Sequence, residues 1–137
     1  MYMTNLAITE DSLGLLVGEF YNRVRADDMI GPVFNNAVGD WPGHLAKLQA
    51  FWSSVMLTSG RYKGQPLPAH IKHAGQMDRQ SFDRWLTIWG ATTADLMDEA
   101  SAAALQAKAE KIAESLSLGI EFSRERGRSP GAGQASA

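Results

Sequence analysis

Cysteine is absent from this 137-residue chain, and that single absence removes several chemistries. Disulfides, thiolate-ligated zinc, iron–sulfur clusters and covalent haem attachment through C-x-x-C-H all need it. Long apolar runs are missing too, and nothing in the chain is long enough to span a bilayer. The formal net charge is only −2 at pH 7, so no basic field draws nucleic acid or an anionic membrane surface. The opening residues, MYMTNLAITE, lack a basic stretch followed by an apolar core; they do not read as a signal peptide, and a cytoplasmic location is the expectation. β-Branched residues never alternate with polar ones over a useful length, which leaves no convincing strand. No internal repeat is visible.

What is present is helical periodicity. Thr9 reads as an N-cap, with Glu10 and Asp11 placed for the helix dipole. Leu13, Leu16, Val17, Phe20 and Val24 then share one stripe, with Tyr21 at its edge, where a phenol keeps its ring in the core and aims its hydroxyl at something polar. This helix is expected to end near Asp27 and Asp28. Gly31-Pro32 reads as a break, Val33-Phe34 as a short apolar turn, and Asn35, Asn36 and Gly39 as a loop. Asp40 caps a second helix that tolerates Pro42 in its first turn and runs to about Thr58. Trp41, His44, Leu48, Phe51, Trp52 and Val55 share its face, which puts His44 inside an apolar stripe.

Residues 60–68 hold two glycines and two prolines, the composition of an extended connector. His70 and His73 follow, on at most a turn or two of helix before Gly75. Asp78 caps a helix with Phe82, Trp85, Leu86, Trp89, Thr93 and Leu96 on one side and Trp85 at its edge. Ser101 is expected to start the last helix, striped by Leu105, Ala109, Ile112, Leu116 and Ile120. Periodicity lapses after Phe122. Residues 1–122 therefore read as one domain and 123–137 as a disordered tail.

An imidazole on a short turn stiffened by Pro66 and Pro68, beside aromatic helices, has the chemistry of an axial ligand to haem iron. His70 follows the prolines directly; His73, three residues on, competes for the role. Tyr21, Trp85 and His44 are donors suited to a bound diatomic ligand that carries partial negative charge. Phe34, Leu48, Phe51, Trp52 and Trp89 would supply apolar walls. Each residue also has a plainer reading. A histidine on an apolar face is often a core histidine bonded to a backbone carbonyl, and Trp or Phe at helical spacing is often just core. His70 and His73 as a zinc pair lack a nearby carboxylate or thiolate to complete the set. The residues alone leave these readings open.

The series Phe20-Tyr21-Asn22-Arg23-Val24-Arg25, Gly31-Pro32-Val33-Phe34-Asn35-Asn36, Trp41-Pro42-Gly43-His44, Phe51-Trp52, Arg61-Tyr62-Lys63-Gly64-Gln65-Pro66, His70 and Phe82-Asp83-Arg84-Trp85-Leu86 resembles the group III truncated haemoglobins. The likeness is collinear from about Leu13 into the last helix. It implies an all-α truncated globin fold, a two-over-two helical sandwich, around a b-type haem. His70 falls on the family's proximal ligand to iron, Tyr21 on its distal phenol, Trp85 on its distal indole and His44 on its distal histidine. Phe34, Trp52 and Tyr62 join the haem wall. The implied ligands are oxygen, nitric oxide or a similar diatomic. A donor-rich pocket favours nitric oxide or peroxide detoxification, served by an unidentified reductase, over bulk transport. The alternative is a haem-free or haem-sensing helical interaction module.

Overall fold

The computed structural model describes residues 5–62 and 78–128. Helix α1 spans Glu10–Ala26. Its start is fixed by a reciprocal cap: Thr9 Oγ1 accepts the Ser12 N–H at 3.0 Å, and Ser12 Oγ accepts the Thr9 N–H at 2.8 Å. The expected stripe is buried, Tyr21 included. Helix α2, Gly31–Ala37, corrects the sequence reading, which had a break and a loop there. Pro32 sits in its first turn, where no N–H is needed, and the Gly31 N–H bonds back to the Asp27 carbonyl at 2.9 Å. A Cβ at Gly31 would lie 2.7 Å from the Arg25 carbonyl oxygen, so only glycine fits this corner.

Helix α3 is Trp41–Leu57, capped by Asp40, whose carboxylate accepts the Gly43 N–H at 3.1 Å. It stops at Thr58, in the left-handed region at φ 54°. Helix α4 is Arg79–Leu96, capped by Asp78 through the Ser81 N–H at 2.8 Å. Helix α5 is Glu99–Arg128. It begins earlier than expected because Asp98, not Ser101, is the capping side chain; Ser101 gives its N–H to Asp98 at 2.7 Å. The backbone stays helical past Phe122, where the hydrophobic period lapses. The expected connector and the turn carrying His70 and His73 lie outside the described residues, as does the chain after residue 128.

The helices stack as a pair on a pair: α1 packs on α3, α4 packs on α5, and α1 joins the layers through α4. The central core is formed by Leu13, Leu16, Val17, Phe20, Trp89 and Leu105, all essentially inaccessible to solvent. The Trp89 indole N–H donates to the Leu105 carbonyl at 3.1 Å, which satisfies the ring's one polar atom while tying α4 to α5. Buried Thr92 and Thr93 donate to the carbonyls of Ile88 and Trp89, one turn back. Leu6 bridges in parallel to Met97 and stitches the start of the chain to the α4–α5 turn. Among the described residues there is no strand, and no helix is long and apolar enough to cross a membrane.

Candidate functional site

Tyr21 is the centre of the site. It faces inward from α1 and is only 5% exposed. Four further aromatic or imidazole rings surround it besides that of Trp85: Phe20 at 4.6 Å between centroids, Phe34 at 5.8 Å, Trp41 at 5.9 Å and His44 at 6.0 Å. The Trp85 indole N–H approaches its hydroxyl as a donor. Burial pushes the phenol pKa up to about 12, and the indole bond only partly opposes that shift. The phenol therefore keeps its proton at neutral pH. An indole N–H only donates, so the tyrosine oxygen accepts that bond and its own O–H remains a donor.

His44 is half-buried on α3, one turn beyond Trp41, with the two rings edge-on at 5.5 Å. Arg25 lays its guanidinium over the Trp41 ring at 4.5 Å and also donates from Nε to Asn35 Oδ1 at 3.0 Å. Sequence reasoning gave Trp41 to the stripe and missed it as a neighbour of both Tyr21 and His44. Its place three residues before His44 was the available signal. Nothing in the sequence spacing pointed to Arg25.

The rest of the wall is half-covered. Phe34, Leu48, Phe51, Tyr62 and Leu86 are each partly buried, as is Trp85 itself. Phe51 meets Trp52 at 5.7 Å and Tyr62 at 5.5 Å, both edge-on. Trp52 and Trp89 sit deeper, stacked at 4.6 Å and 17°, and Trp89 reaches the site through the Trp52 and Trp85 rings. His70 and His73 lie outside the described residues. A groove of about 530 Å³ between α4 and α5, floored by Phe82 and Leu86, is lined by none of Tyr21, His44 and Trp85.

A polar ring delivers Tyr62 to this wall. Buried Ser53 donates to the Glu10 carboxylate, so Ser59, 2.6 Å away, must donate to Ser53. Ser59 in turn accepts the Arg61 N–H at 3.4 Å, and the Arg61 guanidinium closes the ring on Glu10. The Ser53 bond, ahead of Arg61, holds the Glu10 carboxyl below the usual carboxylate range. The Tyr62 N–H then donates to Ser54 Oγ at 2.8 Å.

A two-over-two helical stack with a protonated phenol and an indole facing half-covered aromatics is the arrangement that the short-globin resemblance implies. No family model matches the chain. It is 37% identical over 86 residues to the group 3 truncated haemoglobin ctb of Campylobacter jejuni, covering 60% of this chain and 67% of that one. The crystal structure of the group III truncated haemoglobin from Campylobacter jejuni aligns over 86% of this chain and 95% of that chain, with a TM-score of 0.77 and 31% identity. The chain belongs to the group III truncated haemoglobins. Its function is thus ligand binding of the globin type, and haem is the implied cofactor.

The described residues fit a haem. Half-covered apolar side chains come from α2, α3, α4 and α5: Val33 and Phe34, Leu48 and Phe51, Leu86, Ile112. Of these, Phe34 packs directly on the Tyr21 ring, at 5.8 Å between centroids. A broad apolar guest with one polar ligand side suits that lining.

Proposed function

We propose that the protein binds b-type haem with His70 as proximal ligand and uses Tyr21, Trp85 and His44 to hold oxygen or another diatomic ligand for nitric oxide or peroxide detoxification. When bound, haem supplies the iron at which such a ligand is taken up. The chain does the rest. Tyr21, kept neutral by burial, offers its O–H to a small polar ligand. Trp85 orients that hydroxyl by donating to its oxygen. His44 stands beside both Tyr21 and Trp41, where its ring adds a third polar group at the edge of the pocket. Phe34, Leu48, Phe51, Trp52, Tyr62 and Trp89 exclude water around the guest. Without cysteine the haem is held by packing and axial coordination alone. We assign the globin domain to residues 1–122, a cytoplasmic location, and an unidentified reductase as electron donor.

The observation that carries this reading is the buried Tyr21 phenol, 5% exposed, ringed by Phe34, Trp41 and His44. A purified sample mixed with haem should develop a Soret band. His70→Ala should lose most haem affinity, while His73→Ala keeps it; the reverse result reassigns the ligand. Consumption of nitric oxide under air, with and without a reductant, then separates turnover from binding. No Soret band after reconstitution would leave a haem-free helical module.

A further inference from the structure

Tyr21 and Trp85 belong to different helices, so the approach of the indole N–H to the phenol oxygen is only as good as the seating of α4 on α1. Rings fill that crossing. Phe20 meets Trp85 edge-on at 5.6 Å and Trp89 at 4.8 Å. Edge-on packing sets the spacing between two helices, but it tolerates small offsets. A hydrogen bond is less forgiving, because it weakens steeply once distance or angle departs from the optimum. Something else must fix the roll of α4 about its axis.

Arg84, the residue before Trp85, supplies the fix. Its Nε lies 2.8 Å and its Nη2 2.7 Å from Oδ1 of Asp27, the residue that ends α1. The second carboxylate oxygen is committed as well: Asp27 Oδ2 accepts the backbone N–H of Met29 at 3.0 Å and of Ile30 at 3.1 Å. Asp27 is therefore tied to the corner between α1 and α2 and cannot swing to follow a mobile partner. Exposed ion pairs usually contribute little, and Arg84 is 43% exposed. The Asp27 side chain, however, is only 8% exposed and is held from both sides. A planar guanidinium with two donors on one oxygen adds direction as well as charge.

The same two helices carry a second ion pair, which serves as a built-in control. Arg23 Nη2 reaches Asp95 Oδ2 at 2.9 Å, but the Asp95 side chain is 60% exposed. Nothing comparable to the Met29 and Ile30 amides holds that carboxylate among the described residues.

We propose that Arg84, anchored on Asp27, is a positioning residue for the distal pair: it sets the roll of α4 and so the place where the Trp85 indole meets the Tyr21 hydroxyl. This rests on the distal reading above. Arg84 acts on a ligand only through Trp85. An arginine and an aspartate that join positions 57 residues apart thus tune the pocket from outside it.

The test uses the full chain, reconstituted with haem and held as the diamagnetic ferrous carbon monoxide complex. Trp85→Phe identifies the Trp85 indole N–H resonance. Arg84→Ala should shift that resonance, move the C–O stretching band and speed oxygen release roughly three- to tenfold, in the range of remote couplings. Arg84→Lys keeps the charge but loses the fork, and should shift all three the same way by less. Asp95→Asn should move none of them. The proposal fails if Arg84→Ala lowers the melting temperature but leaves the indole resonance and C–O band in place, or if Asp95→Asn shifts them equally. Should Arg84→Ala not fold, Arg84→Lys against Asp95→Asn makes the same comparison. If Trp85→Phe itself leaves the C–O band and oxygen release unchanged, the distal role of Trp85 falls. The indole resonance in Arg84→Ala still decides the clamp.

Discussion

Helices α3 and α4 both lie against α1, yet they treat their apolar side chains differently. Where α1, α4 and α5 meet, Leu13, Leu16, Phe20, Trp89 and Leu105 are closed to solvent. On α3 only Trp52 and Ser53 are buried, while Trp41, Leu45, Leu48, Phe51 and Val55 stay half-covered. An apolar helix ordinarily seals its stripe in the core. Leaving it half-open costs stability that the α4 side does not give up, and the Tyr21 phenol sits where the two regimes meet. Under the proposed function the contrast separates two tasks: the α1–α4–α5 seam holds the fold together, and the α3 face receives the guest.

The strongest challenge to that division is Trp89→Ala. The residue is buried in the sealed seam, and its removal leaves a cavity and costs the Leu105 carbonyl the indole donor it has beyond the helix's own bond. Denaturant unfolding should show a loss of about 3–5 kcal/mol, with or without added haem. A loss below about 1 kcal/mol, or one that haem restores, would mean that this seam is not where stability resides. At the junction, Tyr21→Phe asks for the opposite pattern. The ring and its packing remain, so thermal stability should change little. Oxygen release from the reconstituted protein should accelerate by roughly 5- to 150-fold, since a hydrogen bond to a partly charged acceptor contributes roughly 1–3 kcal/mol. Equal release rates in stopped-flow measurements would put the hydroxyl's proton elsewhere.

The helix starts and the α1 stripe were largely legible from the sequence, because their signals are local. Thr9, Asp40 and Asp78 cap where capping residues were expected, and the α1 stripe from Leu13 to Val24 is buried as its spacing predicts. Helix α2 was not legible. Gly31-Pro32 looks like a stop, and it becomes a start only because the Asp27 carbonyl receives the Gly31 N–H. Ser101 looked like a cap, whereas it is the residue that Asp98 caps. At the site, stripe edges and donor chemistry singled out Tyr21 and Trp85, but nothing in the spacing brought the two side chains together; the fold does that by laying α4 on α1. Trp41 was hidden by the good general rule that tryptophan on a stripe is core. Its tie to Arg25, like the tie of Arg84 to Asp27, joins side chains whose approach is created by the tertiary fold.

Acid should distinguish the two seams by a smaller effect. Glu10 fastens α1 to the end of α3 through buried Ser53 and through Arg61, and its carboxyl is held below its ordinary pKa. Asp27 is likewise lowered, first by Arg84 and then by the Ile30 and Met29 amides, on the α4 side. A carboxylate whose pKa is depressed on folding stabilises the native state above its unfolded pKa, near 4 for these residues, about the ordinary value. That contribution is lost as pH falls through the folded value. Glu10→Gln should therefore melt below the parent protein at neutral pH, with the two melting curves converging as pH drops below about 4. Because Glu10 and Arg61 are both nearly half-exposed, added salt should narrow the gap. The same experiment with Asp27→Asn should show a gap less sensitive to salt, since that carboxylate is shielded. A Glu10→Gln gap that stays constant from neutral to acid pH would mean the lost stability comes from packing at Ser53 and not from the charge. The α3 seam would then be held by the same kind of contact as the sealed one.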